Sequence, residues 1–161
     1  MRRIEQATFG PIYALAMWLR PIMWRRRRPT LVGVRALIVQ DRRVLLIRHR
    51  SGRTPWGLPG GGVERYERLA EATQREAREE TGIAVRVIAL LGMYDSFRDG
   101  VSNYIAVFVC APLGDPRPPR SPEIAEARYF PFDALPATID HGSRRRIAEY
   151  RAGDWGLAQL W

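Results

Sequence analysis

Lysine is absent from this 161-residue chain: all 26 basic residues are arginine. A Schiff-base lysine and a phosphate-loop lysine are both excluded, which removes two large enzyme classes. Cysteine is reduced to Cys110, so neither an internal disulfide nor a cysteine-based zinc site is available, as expected of a protein in a reducing cytoplasm. Cys110 lies in an apolar run and reads as a small core residue rather than a nucleophile, since only His49 and His141 exist to serve it as a base. With only those two histidines and one cysteine to offer, a zinc site is disfavoured. A membrane-spanning helix needs about 20 apolar residues, and the run from Pro11 to Leu19 is cut short by Arg20 and Pro21. A secretory leader is disfavoured because Glu5 interrupts the basic start and Met17, Trp18 and Leu19 stand where small cleavage-site residues belong.

What remains is ordinary globular composition, 46% hydrophobic and 27% charged. The length predicts one domain with a short extension. The net charge of +9 reads as a solvated surface suited to an anionic substrate, in preference to a nucleic-acid footprint. Residues 1–29 stand apart as an amino-terminal extension, a short helix followed by a basic linker ending in Arg25 to Arg28. Either its Ile12, Leu15 and Leu19 stripe packs on the domain or on a second subunit, making a homodimer, or residues 11–28 contact an anionic membrane surface or nucleic acid. Packing is the preferred placement. The domain proper is expected over 30–161.

Leu31 to Val39 and Val44 to Arg48, joined by Gln40-Asp41-Arg42, predict a β-hairpin. Two further strands are expected over Ile83 to Leu91 and Asn103 to Cys110, separated by a polar loop over Asp95 to Gly100. Leu69 to Thr81, free of glycine and proline and rich in Ala, Glu, Gln and Arg, predicts a helix that Gly82 ends. Pro112 to Pro122 carries five prolines and reads as an extended surface loop. A last strand is expected near Ala127 to Phe130 and a closing helix over Ser143 to Arg151.

On the central helix, Glu76, Glu79 and Glu80 fall within about a third of the circumference. Like charges so spaced cost an isolated helix about 0.2 to 0.5 kcal/mol per pair, so they call for a compensating cation. Mg²⁺ is the natural candidate, a hard ion held by a few carboxylates together with substrate phosphates, and Mn²⁺ is the expected substitute. A merely solvated helix with Glu71–Arg75 and Arg75–Glu79 pairs at i,i+4 would account for the glutamates alone. It would not account for their surroundings. Gly61-x5-Glu67-x7-Arg75-Glu76-Ala77-x-Glu79-Glu80-x-Gly82-Ile83 fills seven fixed positions within 23 residues, a coincidence on the order of a few per million chains.

This window resembles the signature box of the Nudix hydrolase family, and the resemblance extends over about Thr30 to Pro136, including the tail Glu126-Ala127-Arg128-Tyr129-Phe130. Ala77 departs from the pattern, which asks for a bulkier aliphatic residue there. The resemblance implies an α/β fold, a Nudix-like α/β/α sandwich on a mixed β-sheet. It implies that Glu76, Glu79 and Glu80 hold the metal, that one of them or a glutamate outside the box activates water, and that Glu67 and Arg75 brace the loop against the helix. Gly60, Gly61 and Gly62 would form the phosphate loop, since glycine permits sharp turns and close approach. Glu123 sits where some relatives place an additional metal-binding or basic carboxylate.

The expected function is Mg²⁺-dependent hydrolysis of the diphosphate linkage of a nucleoside diphosphate joined to another moiety, by attack of metal-activated water on phosphorus with Glu79 or Glu80 as base. Arg48, His49, Arg53 and Tyr104 are candidates to line a base or phosphate pocket. Two alternatives carry other consequences. A non-catalytic nucleotide-sensing module of the same fold need not keep all three metal carboxylates, and an isoprenoid diphosphate isomerase would need Cys110 to face the metal cleft.

Overall fold

The structure, a computed structural model, describes residues 30–50, 55–98, 101–115 and 121–161. The amino-terminal extension over 1–29, Arg53 and the central prolines of the 112–122 loop lie outside the described residues. Among those described, no helix is long and apolar enough to cross a membrane.

The apolar, β-branched run after Thr30 forms β1 (Thr30–Gln40) and turns through Asp41 and Arg42, both at positive φ, into antiparallel β2 (Arg43–His49). Helix α1 (Leu69–Thr81) follows, with its start tied by the Glu71 carboxylate accepting from the Arg68 N–H and its end closed by Gly82 at φ 70°. Glu71 is thus committed to the cap rather than to Arg75. Strands β3 (Val85–Arg98) and β4 (Val101–Pro112) pair antiparallel, and β5 (Ile124–Pro131) pairs with β2. Helix α2 (His141–Ala152) is capped by Asp140, whose carboxylate accepts from Ser143 N. A short β6 (Leu157–Leu160) closes the chain.

The six strands form one mixed sheet in the order β5-β2-β1-β4-β3-β6, with β1–β4 and β3–β6 parallel. Side chains alternate across β1. Ala36 and Ile38 pack with Ala77 on the α1 face, while Leu37 packs with Ile147 of α2 on the other. The result is the α/β/α sandwich expected from the sequence.

Two expectations require correction. The polar stretch from Asp95 is not a loop, because β3 continues to Arg98 with Asp95, Ser96 and Phe97 opposite Tyr104, Asn103 and Ser102. Ladder pairing with a long partner outweighs a local composition that favours turns. The strand near Ala127 is also not the last: β6 adds to β3 in parallel beyond α2. Its four residues offer no periodicity to read.

Candidate active site

The site begins with a gap in the sheet. β1 and β2 pair only at Val39–Val44 and Gln40–Arg43, then diverge, and the segment 55–63 fills the opening. On the β2 side Gly57 exchanges both backbone hydrogen bonds with Ile47, at 2.9 and 3.0 Å. On the β1 side Ala36 N donates to Pro59 O, Val34 N to Gly61 O and Val63 N to Val32 O. The glycine loop is therefore held by main-chain bonds from two strands. Gly60 adopts φ 145°, where a Cβ would run into the Val34 carbonyl. A Cβ on Gly61 would come within 2.5 Å of Glu76 Oε1, so the absent side chain is what lets the helix carboxylate lie over the loop.

Helix α1 brings its glutamates to this loop in three different states. Glu80 is buried, and its Oε2 accepts a 2.7 Å hydrogen bond from Gly60 N. Burial pushes its carboxyl up to about 7, with the nearby charges of Glu76 and Glu123 adding to the shift and the Gly60 N–H and Arg35 opposing it. Glu76 is mostly enclosed and accepts from Arg75 Nη1 at 2.8 Å. Glu79 is half exposed, and its nearest cation is Arg75 Nη1 at 3.6 Å.

Arg75 joins these parts. Its Nε and Nη2 donate to the two oxygens of Glu67 at 2.8 and 2.9 Å, a bidentate fork, while Nη2 also donates to the Gly62 carbonyl at 3.0 Å. Those bonds hold the Glu67 carboxyl below the usual range and raise the arginine further above its own. Glu67, Arg75, Glu76 and the glycine loop thus form one connected unit.

Glu123 is exposed in the segment before β5. The segment docks on the end of α1 through Ser121 N donating to Glu79 O at 3.1 Å, which explains why the Glu123 charge is felt at Glu80. The donors available here are hard carboxylate oxygens; burial drives Glu80 upward and the charges of Glu76 and Glu123 add to it, a repulsion that a divalent cation would relieve. As the side chains stand, Glu76 is turned to Arg75 and Glu80 to Gly60, and among the described residues no three His, Cys, Asp or Glu side chains converge closely enough to hold a metal ion. The donor chemistry fits a hard divalent cation, and rotation of Glu76 away from Arg75 is what coordination would ask of the protein.

Other candidates are scattered. Arg48 pairs with Glu126 at 3.0 Å and lies over the Trp56 ring, whereas Tyr104 contacts Phe97 edge-on from a strand position facing the α1 side. The sheet separates them. His49 ends β2 opposite Ile124. Cys110 is buried with Ala36, Ile38 and Ile83, and burial pushes its thiol up to about 12. A thiol so placed cannot serve the metal cleft, which removes the basis for the isomerase alternative. Arg35, whose charge reaches Glu80, was not among the sequence candidates; nothing in its strand context distinguishes it from a solvated arginine.

Known proteins are similar to this chain in sequence and fold. The family described as the NUDIX domain matches residues 29–150. The ADP-ribose pyrophosphatase of Methanocaldococcus jannaschii is 36% identical over 115 residues, covering 68% of this chain and 68% of that protein. MutT4 of Mycobacterium tuberculosis is 35% identical over 108 residues, covering 62% of this chain but only 42% of its own length. In the crystal structure of a MutT NUDIX hydrolase from Burkholderia pseudomallei the same fold superposes with a TM-score of 0.67 at 32% identity, covering 74% of this chain and 97% of that one.

Proposed function

Because this chain belongs to the Nudix family, we propose that it is a Mg²⁺-dependent pyrophosphohydrolase that cleaves the diphosphate linkage of a nucleoside diphosphate joined to another moiety. One water is consumed, and the products are a nucleoside monophosphate and the phosphorylated remainder. The observation that carries the proposal is the convergence of Glu76 and Glu80 on the Gly60–Gly61 loop under the Arg75–Glu67 brace. The substrate class is supported by the archaeal relative, whose name states cleavage of ADP-ribose.

In this proposal Glu76, Glu79 and Glu80 hold Mg²⁺, Mn²⁺ can replace it, and Glu123 is an additional ligand or base from the 121–123 segment. The metal supplies Lewis-acid neutralisation of the phosphate oxygens and lowers the pKa of the attacking water. The protein residues supply position. Gly60, Gly61 and Gly62 keep the loop narrow enough for a phosphate to approach the backbone. Arg75 and Glu67 keep that loop in register with the helix. Glu79, half exposed and loosely paired, and Glu80, anchored by Gly60, are the two candidates to take the proton from water.

The test is incubation of the protein with Mg²⁺ and a panel of nucleotide sugars, ADP-ribose, dinucleotides and nucleoside triphosphates, reading release of phosphate and nucleoside monophosphate. Metal-dependent cleavage of one class, lost in Glu79→Gln and Glu80→Gln variants of unchanged circular dichroism, is the expected result. Binding of nucleotides without turnover across the panel would overturn hydrolysis in favour of a sensing module.

A further inference from the structure

In the middle of β1, Val34, Ala36, Leu37 and Ile38 are all fully buried, and Arg35 stands among them. Arg35 itself is partly buried, neither sealed in the core nor fully exposed. Among the described residues its hydrogen bond is to the carbonyl of its own neighbour, Val34, at 3.1 Å, and no carboxylate lies within ion-pair distance. Its backbone is wedged against the phosphate loop, since a Cβ built on Gly60 would come 2.9 Å from Arg35 Cα. Its charge stabilises the Glu80 carboxylate from beyond contact distance. Two residues earlier on the same strand face is Gly33, which offers no side chain; the Gly61 carbonyl and the Asn103 amide border the space a Cβ would occupy there, at 3.2 and 3.7 Å.

We propose that Arg35 is a substrate-binding residue whose guanidinium takes the phosphate oxygens of the diphosphate held at the α1 glutamates, across the gap that the glycine loop fills between β1 and β2. The proposal rests on the pyrophosphohydrolase function proposed above and names the residue that recognises the anion. A guanidinium whose task was only to neutralise Glu80 would contact it. Arg35 instead has its fork uncommitted to any carboxylate, and two parallel N–H groups match a phosphate edge. The buried strand keeps its Cα fixed relative to Gly60, so the side chain starts from a fixed point beside the loop.

The probe is imidodiphosphate, a diphosphate that cannot be hydrolysed at its bridge, titrated with Mg²⁺ present into the parent, Arg35→Gln and Arg35→Lys by calorimetry. Alongside it, the Mg²⁺-induced rise in thermal midpoint is measured without the probe. Arg35→Gln is expected to bind imidodiphosphate at least about tenfold more weakly and Arg35→Lys to recover part of the loss, because a point charge replaces the fork. The Mg²⁺-induced rise should persist in both. If Arg35→Gln does not fold, Arg35→Lys carries the decision, with several-fold weaker binding expected. Binding within about twofold of the parent in the folded variants overturns the proposal. So does loss of the Mg²⁺ response, which would make Arg35 a support for Glu80, and so does failure of the parent to bind. Arg35-dependent binding in a parent that cleaves nothing in the panel would leave Arg35 standing and overturn the hydrolase function alone.

Discussion

The backbone N–H of Gly60 donates to Glu80 Oε2 at 2.7 Å, tying the glycine loop to the last turn of α1 across 20 residues of sequence. The loop is otherwise held largely by β1 and β2, so this link and the Arg75–Gly62 bond set the helix glutamates relative to the sheet. Gly60→Ala would force a Cβ into the Val34 carbonyl at a φ that side chains avoid. A loss of about 1–3 kcal/mol is expected from the backbone alone, readable in urea denaturation. Wild-type stability in the variant would show that the loop can shift freely, and with it the link.

Metal binding to the native state should be visible as stability. With Mg²⁺ at about 100 times its Kd the protein is expected to gain about 2.7 kcal/mol, reversed by EDTA. Glu76→Gln and Glu80→Gln should abolish the gain, since each removes a charged oxygen donor. An equal gain in all three proteins, measured by scanning calorimetry, would place the ion elsewhere.

Arg75 contacts Glu67, Glu76 and Gly62 through separate N–H groups. A lysine carries charge to the same place without the planar fork. Arg75→Lys is accordingly expected to lower turnover roughly 10–100-fold while the fold is retained, the range seen when supporting partners of a metal site are removed. Unaltered kcat would reduce the brace to a surface feature.

On the opposite face of the sheet, Arg146 is fully buried, pairs with Glu149 at 2.7 Å and lies 3.8 Å from the centre of the Tyr94 ring, whose hydroxyl donates to the same carboxylate. Glu149→Ala leaves that guanidinium without its counter-charge and should cost about 3–5 kcal/mol. Tyr94→Phe, which removes one hydrogen bond but keeps the ring, should cost about 1 kcal/mol. Equilibrium unfolding of the two variants separates these values, and equal losses would contradict the assigned roles.

The Cys110 thiol, ordinarily near 9 and pushed up to about 12 by burial, is almost entirely protonated at neutral and mildly alkaline pH. Thiolate is the reactive form, so raising pH from 7 to 10 should leave native alkylation by iodoacetamide slow, with roughly a thousandfold less thiolate than a free cysteine offers at pH 7 and still roughly a hundredfold less at pH 10. In urea the same rise should speed the reaction steeply. Rapid native alkylation would mean that the strand opens or that the thiol faces solvent.

Local spacing made much of the fold readable. Helix α1 runs over the residues that its composition and Gly82 predict, and the β1–β2 hairpin follows from two β-branched runs around a polar turn. Asp95 to Phe97 misled because their polarity says nothing of the partner strand that continues beside them, and β6 was invisible because four residues carry too little pattern. The Glu67–Arg75 pairing was implied by resemblance to a family; its bidentate geometry and the tie to Gly62 needed coordinates.

The sequence by itself determined which residues share the α1 face and that glycines precede them, since helical and turn geometry depend only on neighbours along the chain. It also settled the absence of lysine and of an internal disulfide. Tertiary structure alone decided that Glu80 is buried and driven upward while Glu79 stays half exposed, because burial depends on the loop that closes over one and not the other. It alone set Arg35 beside Gly60 and Glu123 within electrostatic reach of Glu80, since those residues are brought together by strand pairing and loop docking over 25 and 43 positions of chain.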